Sequence, residues 1–204
     1  MSQPYVVPSL SGRFVRLDPL SEEHVTALVE AANEERATYG YTTVPGDRAT
    51  MSQYVEGLRR DYEVGLVVPF SQLDASTGRV LGMTRFMTIR TVPGRSTPYA
   101  VEIGGTWLAA SAQRTRINTE AKLLLLRYAF DTWLVSRVDL KTDSRNERSR
   151  AAIARLGATF EGILRHWQPS VADGEEGRFR DTAMFSIIDD DWPRVAAHME
   201  SLLR

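Results

Sequence analysis

The chain has 204 residues and no cysteine. That absence excludes disulfides, thiolate nucleophiles and thiolate metal sites, and makes the cytoplasm the expected compartment. Histidine is scarce. His24, His166 and His198 are far apart and show neither HxxH nor HExxH spacing, so no metal site is expected. There is also no excess of charge of one sign: 25 Lys plus Arg against 26 Asp plus Glu leave a net charge of -1. No overall field exists to draw nucleic acid or an anionic membrane, so neither is an expected partner. No apolar run reaches the ~18 residues of a membrane span, and MSQPYVVPSLSGRF lacks the cationic start and apolar stretch of a secretory leader. GxxxxGK[ST], GxGxxG and GxSxG are missing as well, which removes the best signals for a P-loop, a dinucleotide fold and a serine elbow.

What is present is globular: 43% apolar and 25% charged residues, without repeats or a Pro/Gly/Ser linker. Residues 1–10 read as a tail and 11–204 as one domain. Phe14 to Asp18 alternates like a strand. Ser21 then caps a helix carrying Val25, Leu28 and Val29, and a second helix covers about Met51 to Glu63. Leu66 to Leu73 and Val80 to Ile89 form a hairpin about the Asp74–Gly78 turn, and Tyr99 to Leu108 adds a third strand. A strongly apolar helix follows over Thr119 to Leu134, then a strand over Arg137 to Thr142. Ser149 to Leu156 reads as a helix, with Ser149 suited to its N-cap and Gly157 to its left-handed end. Strands Phe160 to Trp167 and Asp181 to Ile188 precede a last helix that starts near Pro193.

Two junctions of this β, α, α, β, β, β, α, β, α, β, β, α order put a polar loop between a strand and a helix, where α/β sheets favour ligands. In the first, the free amides of a helix N-terminus offer a phosphate cradle to which Arg114, Arg116 and Lys122 would add cations. A capped helix with solvated arginines is the plain alternative. The strand before it contains Gly104-Gly105, which marks a bulge or a close approach by another backbone or a ligand. Glu102 on that strand is a candidate base, or the partner of Arg85 or Arg90 in an ion pair. His166 ends a strand, where a structural role is more usual than a titrating one.

Gln113 to Asn118 followed by Thr-Glu-Ala, then Asn146-Glu-Arg-Ser149 and Ala152-Ile-Ala-Arg-Leu-Gly157-Ala158, resemble the acetyl-CoA motifs of the GNAT N-acetyltransferase superfamily in its RimJ/RimL-like branch. The resemblance runs from Phe14 to the Trp192 region. It implies an α/β (α+β) single domain whose mixed, mostly antiparallel twisted sheet splays between two central strands and is flanked by helices. It implies acetyl-CoA or another acyl-CoA as cosubstrate, no metal, and acyl transfer to a primary amine by direct attack in a ternary complex. A catalytically weak acyl-CoA binder of the same fold is the alternative.

By the same resemblance, the backbone of Gln113, Arg114, Thr115, Arg116, Ile117 and Asn118 would wrap the pyrophosphate, and main-chain groups of Trp107 and Leu108 would pair with the pantetheine arm. Asn146 would hold that arm too, with the Ser149 hydroxyl near the thioester sulfur. Arg114 and Arg116 stand where glycines often occur, so both are expected to keep negative φ. Many family members carry a tyrosine acid at the position of Ile153, which leaves Ser149, water or no acid. The catalytic pair is therefore Glu102 and Ser149. The acceptor is a small molecule or a protein N-terminus, with Tyr39 and Tyr41 in the segment where it would rest. Arg85, Arg90 and Arg95 suit a dicarboxylate acyl chain or an acidic acceptor. A homodimer is left open.

Overall fold

Alternation along Val15-Arg16-Leu17-Asp18 buries Val15 and Leu17 completely. In the computed structural model, which describes residues 5–172 and 174–204, this segment belongs to one sheet of eight strands. They are β1 (Leu10–Ser11), β2 (Val15–Pro19), β3 (Val68–Asp74), β4 (Val80–Arg90), β5 (Ala100–Leu108), β6 (Arg137–Asp143), β7 (Thr159–Pro169) and β8 (Phe179–Ile188). Their order is β1-β2-β3-β4-β5-β6-β8-β7. All neighbours are antiparallel except β5 and β6, which run parallel. Five helices are interleaved: α1 (Val25–Ala32), α2 (Arg48–Glu63), α3 (Arg116–Arg127), α4 (Glu147–Arg155) and α5 (Trp192–Leu202).

The sheet separates two apolar clusters. Ile117, Ala121, Leu125 and Leu126 of α3, Ile153 of α4 and Val195 and Met199 of α5 pack with Leu17, Phe70, Phe86, Val138 and Leu140 on one face. Leu28 of α1 and Met51, Val55 and Leu58 of α2 pack with Leu73, Met83 and Trp107 on the other. Burying each such leucine or methionine contributes roughly 1.5 to 3 kcal/mol. No helix among the described residues is long and apolar enough to cross a membrane.

Several boundaries differ from the sequence reading. Residues 1–4 of the expected tail lie outside the described residues, while Val7 is buried and Leu10–Ser11 pairs with β2. Helix α3 starts at Arg116, not Thr119, because Thr115 caps it and buried Ile117 begins the i, i+4 series completed by Ala121 and Leu125. Its α-helical part ends at Arg127, and a wider π-type turn over Tyr128–Thr132 replaces the expected continuation to Leu134. That turn sends neighbouring aromatics to different partners: Phe130 stacks on Trp192 at 5.1 Å, while Trp133 meets Phe86 at 4.7 Å. Helix α4 is capped by Asn146, whose Oδ1 accepts the Ser149 N–H at 3.0 Å, so Ser149 lies inside the first turn and is not the N-cap.

Candidate active site

The two parallel strands part early. Their pairs are Ala100 with Arg137, Val101 with Val138 and Glu102 with Asp139; beyond them β5 continues along β4 and β6 along β8. Glycine holds β5 against β4 at this point. A side chain at Gly82 would collide with the Trp107 carbonyl. Gly105 has φ +56°, a left-handed conformation that costs glycine little. The register of β4 on β5 slips here, and the result is a wedge between the carboxyl ends of β5 and β6.

The loop after β5 and the start of α3 form one rim of the wedge. Thr115 Oγ1 accepts the Ile117 N–H at 3.2 Å and donates to the Ala112 carbonyl at 2.7 Å. A helix start leaves its first amides without helical partners, so those of Thr115, Arg116 and Asn118 stay available at this rim. Arg114 has φ +61°, contrary to the negative φ expected of it. The loop thus takes a shape suited to glycine and strains an arginine to do so. Arg116 keeps helical φ; its guanidinium donates to the Arg204 carbonyl at 2.7 Å and lies 5.2 Å over the Phe14 ring. Ile117 is buried in the core, and the Asn118 Oδ1 is buried without a partner among the described residues. Lys122, grouped with the phosphate cations in the sequence reading, points into the interior instead. Its Nζ donates to Thr106 Oγ1 at 2.6 Å and Thr84 Oγ1 at 3.2 Å. Burial pulls its ammonium down to about 7, with the charge of Glu102 pulling partly the other way.

Gln113 and the segment 38–41 close the mouth. The Gln113 side-chain amide donates to the Leu108 carbonyl at 2.9 Å and to Thr38 Oγ1 at 3.0 Å, and the Tyr39 hydroxyl donates to the same carbonyl at 3.1 Å. On the opposite rim, Arg148 of α4 donates to the Thr38 carbonyl at 2.5 Å and the Arg145 guanidinium lies 5.3 Å over Tyr41. Burial pushes the Asp143 carboxyl up, but hydrogen bonds from Arg145 outweigh it and hold it below the usual range. The Ser149 hydroxyl makes no hydrogen bond to the described residues. Trp107 turns its side chain into the α1–α2 cluster, edge-on to Tyr39 at 6.1 Å, while its main chain pairs with Met83 of β4 and its carbonyl accepts from the Gln72 side-chain amide at 3.4 Å.

Glu102 stands where the strands part, 3% exposed. Its Oε2 accepts Thr88 Oγ1 at 3.0 Å and pairs with Lys141 Nζ at 3.0 Å, while Oε1 lies over Gly104. The ion pair is therefore with Lys141, not with Arg85 or Arg90. The parallel register explains it: Lys141 lies two residues beyond Asp139, the register partner of Glu102, and so on the same face of the sheet. His166 is a strand residue with φ +48° whose N–H donates to Asp181 at 2.9 Å, away from these groups.

The fold as a whole is shared with known proteins. The family model described as "Acetyltransferase (GNAT) domain" matches residues 15–159. A GCN5-related N-acetyltransferase from Brucella melitensis is 30% identical, with a TM-score of 0.81 over 99% of this chain and 89% of that one. The fold also matches Mycobacterium smegmatis RimJ in complex with CoA-disulfide, at 21% identity and TM-score 0.76 over 98% of this chain and 96% of that one. A ribosomal-protein-S5-alanine acetyltransferase from Vibrio fischeri matches at 18% identity and TM-score 0.70 over 91% and 99%. No curated protein matches. The family model spans most of the chain, and the chain belongs to the GNAT acetyltransferase family.

Proposed function

We propose that the protein transfers an acyl group, in the simplest case acetyl, from an acyl-CoA to a primary amine. The observation that carries this is the parting of β5 and β6 after Glu102 and Asp139, with the free amides of α3 at its mouth. Those amides and the helix dipole suit a pyrophosphate. The unpartnered Asn118 Oδ1 and the uncommitted Ser149 hydroxyl fit a bound polar ligand. Main-chain groups of Trp107 and Leu108 and the Asn146 amide would hold the pantetheine arm, the Leu108 carbonyl exchanging its Tyr39 or Gln113 bond for one to the ligand.

Acyl transfer from a thioester needs a neutral amine. Glu102 Oε1, the carboxylate oxygen over Gly104, takes the ammonium proton directly or through a water, and the amine attacks the thioester carbonyl in the ternary complex. As the C–S bond breaks, the nitrogen's second proton passes to the departing thiolate or to water; a thiolate is a good leaving group, so Ser149 need only donate a hydrogen bond to it. The RimJ/RimL-like assignment rests on the Asn146-x-x-Ser149 and Gln113–Asn118 motifs, and a cytoplasmic site on the lack of cysteine. Calorimetry with acetyl-CoA followed by CoA release over a panel of amines tests the proposal. Saturable binding and release with at least one amine is expected; binding without release from any amine would reduce the protein to an acyl-CoA binder.

A further inference from the structure

The three arginines suited by sequence to a carboxylate have different surroundings. Arg90 holds Asp139 at 2.5 Å, and Arg95 donates to the carbonyls of Trp133 and Leu134. Arg85 has no carboxylate within ion-pair distance among the described residues. Its Nη1 donates to the Tyr54 hydroxyl at 2.9 Å, and its Nε is buried without a partner. A buried charged donor left unpaired is costly, and such groups are normally satisfied.

The floor beneath it is specific. A Cβ on Gly105 would lie 2.5 Å from the Arg85 Cζ, and one on Gly104 would lie 2.8 Å from Glu102 Oε1. Two successive glycines thus make room for a guanidinium beside a carboxylate oxygen. Met87 Sδ and Tyr54 supply the apolar and hydroxyl flanks. Arg180, whose Nε is also buried without a partner, adds positive charge near Glu102. An ammonium and a carboxylate on one substrate are complementary to this pair of groups.

We propose that Arg85 binds a carboxylate of the substrate beside the amine that Glu102 receives, so that the enzyme selects a carboxylate-bearing acceptor or a dicarboxylate acyl chain. The inference rests on the acyl-transfer reading for the amine and on Arg85 alone for the carboxylate. Wild-type protein and Arg85→Gln are titrated calorimetrically, with and without saturating CoA, with the common amino acids, each paired with its α-amide. Acetyl-CoA and succinyl-CoA form a second matched pair.

The wild type should prefer the carboxylate form in at least one arm by about tenfold to a hundredfold, the preference vanishing in Arg85→Gln while the neutral form still binds. Preference among amino acids assigns the carboxylate to the acceptor; preference for succinyl-CoA assigns it to the acyl chain. No preference in either arm of the wild type, or one that survives in Arg85→Gln, overturns the proposal. If Arg85→Gln does not fold, Tyr54→Phe, which removes the hydroxyl orienting the guanidinium, must shrink the same preference, and an unchanged preference overturns it. Carboxylate preference without any CoA binding would remove the acyl-transfer reading and leave the Arg85 site standing.

Discussion

Lys141 Nζ and Glu102 Oε2 lie 3.0 Å apart at the last rung that joins β5 to β6. The pair occupies one oxygen of the carboxylate and leaves the other toward Gly104. If that oxygen is the base, Glu102→Gln keeps CoA affinity and lowers kcat by ~10²-fold to 10⁴-fold. The acidic limb of kcat/KM should vanish or move, with partial recovery at high pH where more acceptor amine is already neutral. Lys141→Met instead leaves a buried charge unpaired and should destabilise the fold by ~3 to 5 kcal/mol. A stable Glu102→Gln enzyme with full turnover would transfer the role to solvent or another carboxylate.

Lys122 makes stability depend on pH. Its ammonium titrates at about 7 in the folded protein against 10.5 when unfolded. Between these values the unfolded chain holds a proton that the native chain has lost, so stability rises with pH across that window, and the cost of the buried charge is fully present below it. Lys122→Met should be more stable at neutral pH by ~1 to 4 kcal/mol, and the gain should shrink toward pH 10. Urea unfolding of both proteins at pH 7 and pH 10 measures this difference. A gain independent of pH would mean that Lys122 keeps its proton in the folded protein over the same range as in the unfolded chain.

Glu120 ties α3 to the turn between β1 and β2, accepting the N–H groups of Arg13, Phe14 and Val15 at 2.8, 2.6 and 2.7 Å. A side chain on Gly12 would collide with its carboxylate. Glu120→Gln removes the charge and turns one acceptor into a donor facing these amides, so a loss of ~2 to 3 kcal/mol is expected, with faster hydrogen exchange over residues 12–15.

Arg114 tests the loop. Arg114→Gly relieves its φ of +61° and should stabilise the protein by ~0.5 to 1 kcal/mol. Unchanged or tighter CoA binding in that variant would mean that backbone amides hold the phosphates; weaker binding with a smaller salt dependence would assign the side chain a contact.

Apart from the two-residue β1, the order of strands and helices was legible because each element carries its own period and turn residues, and Gly104-Gly105 pointed to a bulge or a close approach. The start of α3 was misplaced because the polar Arg114-Thr115-Arg116 run hides a threonine cap, although Ile117, Ala121 and Leu125 already kept helical spacing. Sequence groups Lys122 with the phosphate cations of the loop, since nothing local reveals that Thr84 and Thr106, far away in sequence, receive it. The Glu102–Lys141 pair likewise needs the parallel register, which no local pattern encodes.

Titration with acetyl-CoA, read as thermal stability and as hydrogen exchange, is the most direct test that the wedge between β5 and β6 takes the pantetheine arm. At a hundredfold excess over Kd the native state should gain ~2.7 kcal/mol, with slowed exchange at the amides of 106–109 and 114–118. No change in either at millimolar ligand would contradict the account.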